Sequence, residues 1–167
     1  MAGLQHSERL QPSLLDRLTD DAPSNTSEAK EQRVLSLRQL KQGVLRDLSW
    51  LLNTSPLESM VDLTDFPFVS HSVLNYGAPV LSGTHLSSLD VPKIEKKLRQ
   101  AIMDFEPRIL PDTINLKLIM DEGQMSHRSL CFKIEGELWA QPQPIQLYIR
   151  SEMDLETGEV TVKDFGA

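Results

Sequence analysis

The hydrophobic period changes partway along this chain. Up to Phe105 the apolar residues return every three or four positions, and beyond Ile114 they return every second position. The first spacing puts side chains on one face of a helix, the second on one face of a strand. Helices that come first and strands that come last do not alternate, so a parallel βαβ sheet is excluded. The expected class is α+β, with N-terminal helices packed on a small antiparallel β-sheet that ends in a C-terminal β-hairpin.

The clearest helix lies in VLSLRQLKQGVLRDLSWLLNTSP. Ser36 followed by Gln39 forms a capping box, and Leu35 with Leu40 has the spacing of a hydrophobic staple. Leu37, Leu40, Val44, Leu48 and Leu51 then make the core stripe. Leu45, Trp50 and Leu52 widen it, so either two faces are buried or one awaits a partner. Asn53, Thr54 and Pro56 end the helix. A second helix is expected in DVPKIEKKLRQAIMDF, capped by Ser88 or Asp90. It has Ile94, Leu98, Ala101, Ile102 and Phe105 on one face and Lys93, Lys96, Lys97 and Arg99 on the other. Pro107 stops it.

Between them, residues 57–89 read as a long connection. Phe66, Phe68, Val69, Val73, Leu74 and Tyr76 suggest that it is pinned to the core, and Asn75-Tyr76-Gly77 suggests a tight turn. After Ile114 the alternations are Leu116, Leu118 and Met120, then Leu130, Phe132, Ile134 and Leu138, then Ile145, Leu147 and Ile149. Asp121-Glu122-Gly123, Gln141-Pro142-Gln143-Pro144 and Glu156-Thr157-Gly158 separate the strands, the last leading into Val160 and Val162.

Residues 1–33 are polar and read as a flexible arm, followed by one α+β domain over 34–167. Inside the arm, PSLLDRLTDD carries Ser13 and Asp16 at capping-box spacing, with Leu14, Leu15 and Leu18 on one sticky face. A single turn is unstable alone, so it docks either on this chain's core or on another chain.

Charge narrows the partners. Lys plus Arg number 17 against 24 Asp plus Glu, a net charge of −7, which gives no general attraction to nucleic acid. The lone Cys131 permits no internal disulfide and reads as a small buried hydrophobe in a reducing compartment. His6, His71, His85 and His127 have no companion at ligand spacing, so no metal or other cofactor is expected. No stretch has the length of a membrane span, and the N-terminus has no signal-peptide pattern. The expected location is cytoplasmic, without membrane insertion.

The residues left for chemistry are Glu106, Pro107 and Arg108. Glu106 as general acid, with Asp104 or Asp112 as second carboxylate, would suit a muramidase. Such an acid must keep its proton, away from positive charge, and Arg108 two residues on favours the carboxylate instead. Aromatic residues are only 5% of the chain, too few for a sugar-binding groove. Two readings remain for the triplet. It is either an internal helix stop with a Glu–Arg pair pinning the turn, or a rigid polar corner whose planar fork of donors holds a partner.

Beyond these single features, PSLLDRLTDD, LRQLKQGVLRDLSWLLNT, SVLNYGAPVLSG, AIMDFEPRIL and IEGELWAQPQPIQLYIRSEMDLETGEV occur in one order. The ordered set, from Pro12 to Val162, resembles the TssE family of small baseplate subunits in type VI secretion systems, which is similar to a baseplate wedge protein of contractile-tailed phages. The resemblance implies a non-enzymatic structural part that binds the wedge subunits TssF and TssG, with TssK and the sheath proteins TssB and TssC as further partners. It implies an edge strand from which the sheath starts, and it implies that Glu106, Pro107 and Arg108 clamp the helical core of the wedge. The family's lysozyme-like label finds no support in these residues. A sheet edge that accepts a strand is consistent with the implied role. Glu152, Asp154, Glu156 and Glu159 would keep the last hairpin from indiscriminate pairing.

Overall fold

A computed structural model describes residues 13–19, 36–84, 89–119, 129–140 and 143–165. The element order is helices, then strands, as the change of period requires. Helix α1 spans Leu14–Leu18, α2 Leu37–Leu52, α3 Pro67–Ser70 and α4 Val91–Phe105. Strands β1 (Asn115–Ile119), β2 (Ser129–Leu138), β3 (Ile145–Asp154) and β4 (Val160–Asp164) follow. They form one antiparallel meander in the order β1-β2-β3-β4, with α2 and α4 packed on one face.

Local chemistry fixes the helix ends. Ser36 and Gln39 close a reciprocal capping box at the start of α2, and Asp90 accepts a hydrogen bond from the Lys93 N–H at the start of α4. Asn53 caps α2 at its far end. Its side-chain amide donates to the Val160 carbonyl at 2.8 Å, and its Oδ1 accepts from the Val160 N–H at 2.8 Å, so the helix end is tied to β4. Both backbone groups of Val160 therefore face away from β3, and antiparallel alternation turns those of Val162 the same way. At the opposite edge, side chains of α4 engage β1. Glu95 accepts from the Leu118 N–H, and Arg99 donates to the Ile114 carbonyl.

One contiguous core lies between helices and sheet. Val44, Leu48 and Leu51 of α2 meet Leu98 and Ile102 of α4 over Leu130, Ile134, Leu147 and Ile149. Each fully buried Leu or Ile contributes about 1.5–3 kcal/mol of apolar transfer. The periodic stripes predicted this core, with exceptions at the rim. Leu37 and Trp50 are exposed, so the widened face of α2 is only partly covered. Leu35, Met120 and the two turns at 121–123 and 141–142 lie outside the described residues, as do His6, His85 and His127.

The connection 57–84 departs from expectation. Phe66, Phe68, Val73 and Leu74 are exposed, Phe68 at 93%, so they do not pin this segment to the core. The anchors are instead Asn75, Tyr76 and Gly77. Buried Asn75 accepts from the Glu58 N–H and donates to the Ser70 carbonyl. The Tyr76 ring packs edge-on against Phe105. Gly77 sits at φ 146°, where a Cβ would come within 2.4 Å of the Thr54 carbonyl oxygen, so only glycine fits this close approach. Polar bonding, a steric slot and the burial of Ala78 and Leu81 in the core hold the segment, with Tyr76 packed against its edge.

Candidate functional site

Helix α4 ends where Pro107 follows Glu106, and Glu106 becomes its C-cap with non-helical backbone geometry. The chain then runs alongside the end of β2 on its way to β1. The Trp139 N–H donates to the Arg108 carbonyl at 2.8 Å, the Leu110 N–H donates to the Glu137 carbonyl at 2.8 Å, and Ile109 bridges Leu138. The triplet is thus fixed at both sides, by a helix and by the end of a long strand.

Its side chains divide between inside and outside. Glu106 is buried, at 3% exposure, while Pro107 is exposed and Arg108 lies between. Arg108 Nε donates to Glu106 Oε1 at 2.6 Å and its Nη2 donates to Oε2 at 2.5 Å, a two-pronged pair that a lysine cannot reproduce. The Arg108 backbone N–H adds a third bond to Oε1. The same Nη2 reaches Asp47 of α2 at 2.5 Å, across 61 residues of sequence.

From Asp47 the network continues to the N-terminal segment. Arg46 Nε donates to Asp47 Oδ1 at 2.8 Å, and Arg46 Nη1 donates to Asp16 Oδ1 of α1 at 2.6 Å. The Ser13 hydroxyl caps α1 and also donates to Asp16. Gly43 lies beneath this layer: a Cβ there would sit at ordinary contact distance, 3.4 Å from Arg108 Nη1 and 3.6 Å from Asp16 Oδ2, so only a larger side chain would press on it. The Arg46 guanidinium lies over the half-exposed Trp50 ring, 5.1 Å from its centre. Leu14, Leu15 and Leu18 of α1 remain exposed, so α1 meets α2 through charge rather than through its leucines.

The electrostatics follow from these contacts. Burial alone would pull Arg108 below its ordinary value, but Glu106 and then Asp47 outweigh it and raise the guanidinium further. Burial pushes Asp16 up, yet its bonds from Ser13 and Arg46 hold it below the usual carboxylate range. Desolvation, followed by the fields of Asp47 and Glu106, raises Tyr76. A carboxylate clasped by a bidentate guanidinium is an ion-pair partner and not a proton donor. The other carboxylates proposed for acid–base work are also committed or remote from burial. Asp104 accepts from Gln100 and bonds His71, and Asp112 is exposed. Among the described residues no group of His, Cys, Asp or Glu is placed to hold a metal. No helix among them is long and apolar enough to cross a membrane.

The sequence singles out Glu106, Pro107 and Arg108 and names Asp16 only as part of a helix cap; it gives no sign that Asp47, Arg46 and Gly43 lie beside them. Asp47 and Arg46 sit on α2 beside the core stripe, where local pattern gives no sign of a long-range partner.

The semi-buried charges of this α+β scaffold thus tie α1, α2 and the end of α4 together, which is a structural use of charge. Residues 38–143 match the family of baseplate wedge protein gp25, and this chain belongs to that family. No curated protein and no solved structure matches it. The family takes in phage wedge proteins and type VI secretion subunits and is structural, not enzymatic, so Glu106 as a muramidase acid is set aside.

Proposed function

We propose that this chain serves as the TssE-type subunit of a type VI secretion baseplate wedge. In this reading it binds TssF and TssG, lies near TssK, and helps the TssB–TssC sheath begin, with Glu106, Pro107 and Arg108 forming the docking corner. The observation that carries the reading is the corner's construction within a gp25-family scaffold. Pro107 projects into solvent from a turn held by α4, by β2 and by the Glu106–Arg108–Asp47 ion pairs. A pre-organised polar corner loses little entropy when it docks, which suits an assembly contact. The β4 edge, where Val162 turns its backbone away from β3, supports strand addition by a sheath subunit.

The experiment is co-purification of the full chain with TssF and TssG, for the wild type and for Glu106→Gln/Arg108→Met. The double change removes the buried charge together with its partner, so the isolated protein keeps its fold. Wild-type capture, lost in the folded double variant, is the expected outcome. Capture of the double variant at wild-type level sinks the docking corner and leaves an internal brace. Failure of the wild type to capture either partner sinks the secretion-wedge assignment itself.

A further inference from the structure

The open face of the sheet, opposite the helices, carries a feature that the wedge assignment does not use. Register pairs Lys117 with Lys133, Lys133 with Arg150, and Arg150 with Lys163. One cation from every strand therefore stands in a single row across the whole sheet. Lys117, Lys133 and Lys163 are exposed and Arg150 is half-buried, alternating with the core residues Leu116, Ile134 and Ile149.

Such a row is not a neutral way to fill a solvated face. Like charges directly opposite on neighbouring strands destabilise a sheet. The chain has 17 basic residues against 24 acidic ones, so an aligned row does not follow from abundance. Glu135 partly neutralises the row, bonding Lys133 at 2.6 Å and lying within the field of Lys117. Arg150 is itself engaged, with Nη2 3.7 Å from Cys131 Sγ among its contacts, so the exposed lysines carry most of the available charge. Along one side of the row Tyr148 and Phe165 lie next to each other, joined by the Phe165 N–H to the Tyr148 carbonyl, and both rings are exposed.

We infer that this face docks an acidic helix of a partner chain, with one stripe of carboxylates on the cation row and an apolar side chain on Tyr148 and Phe165. Spacing supports this occupant. Neighbouring strands lie about 4.8 Å apart, so the row spans about 14 Å. Helix positions three and four apart are separated by about 5–6 Å, so three carboxylates on one stripe span about 10–12 Å of the row and reach three of its four cations. A nucleic acid fits less well, because Glu135 and Glu152 flank the row on the same face and would oppose a continuous polyanion.

The test uses the full chain and a synthetic helical peptide with Glu at i, i+4 and i+7 and a Leu beside the stripe. Fluorescence anisotropy measures binding at low and high salt, with a Lys version of the peptide as counterpart. Wild type should bind the Glu peptide and lose roughly tenfold in affinity at high salt. Lys117→Glu/Lys163→Glu, at two exposed sites that leave the circular dichroism unchanged, should lose at least about tenfold and gain the Lys peptide. Lys93→Glu/Lys96→Glu on the exposed face of α4 should bind as wild type. The inference is overturned by any one of three results. These are no salt-sensitive binding, equal weakening by the α4 pair, or a single-stranded oligonucleotide of equal charge that binds more tightly than the peptide.

Discussion

Arg108→Ala isolates what the corner does for the fold. The substitution removes both prongs on Glu106 and the bond to Asp47, and leaves a carboxylate at 3% exposure with only backbone donors near it. Removing one member of a buried pair costs about 3–5 kcal/mol, mostly because the remaining charge is stranded without water. The Arg108 side chain is 23% exposed, so little of this is lost to solvent screening. A chain of this length should then melt roughly 10 °C lower. Urea unfolding gives the free energy, with an unchanged m-value showing that the unfolded state is the same. Glu106→Gln/Arg108→Met should recover most of the loss, because nothing charged remains buried, and this non-additivity is the diagnostic feature. A loss under about 1 kcal/mol for Arg108→Ala would refute the brace, since that is the range of a surface pair. Equal losses in the single and double variants would refute the stranded-charge argument.

Three other perturbations test separate parts. Gly77→Ala forces a Cβ to within 2.4 Å of the Thr54 oxygen at φ 146°, so it should cost at least about 2 kcal/mol in thermal unfolding. Asn53→Ala removes both bonds to Val160 and should cost about 1–3 kcal/mol, with hydrogen exchange at the Val160 amide rising from its wild-type rate toward that of the edge amide of Val162. Asp16 is held below its ordinary 3.8, so its stabilisation of α1 is complete above that value and disappears as the pH falls through the lower folded one. Amide shifts of residues 14–18 should show α1 releasing on acidification. Asp16→Asn should release it already at neutral pH.

The parts of the fold that could be read in advance are those with local periodicity. The stripe of α2, the capping box at Ser36 and Gln39, the stop at Pro107 and the alternation around Ile134 and Ile149 all depend on neighbours within a few residues. The connection after α2 has apolar residues without a period, and hydrophobicity alone does not say which of them is covered. Phe68 is exposed while polar Asn75 is buried, because the amide of Asn75 satisfies two backbone groups that a phenylalanine would leave unpaired. At the site, Glu106 and Arg108 are visible because they lie two residues apart in sequence. Asp47 was not, because its distance from Arg108 is set by how α2 crosses the end of α4. The cation row was hidden for the same reason, since each basic residue is ordinary in its own strand and only the register aligns them.

The two readings first left open for the corner are compatible when its side chains are considered one by one. Glu106 points inward and cannot meet a partner without leaving Arg108 unpaired. Pro107 points outward and carries no hydrogen on nitrogen, so exposing it strands no donor. Arg108 connects them, engaged through its Nε and Nη2 while its Nη1 lies near Gly43 of α2. A partner carboxylate would therefore approach through Nη1, and the ion pairs behind it would hold the guanidinium plane still while it did so. Gly43→Leu tests this arrangement. The added side chain would press on Nη1 and on Asp16 while leaving the Glu106 pair intact. Capture of wedge partners should fall several-fold while the melting temperature moves by less than in Arg108→Ala. Loss of stability without loss of capture would place the corner's whole role inside the fold.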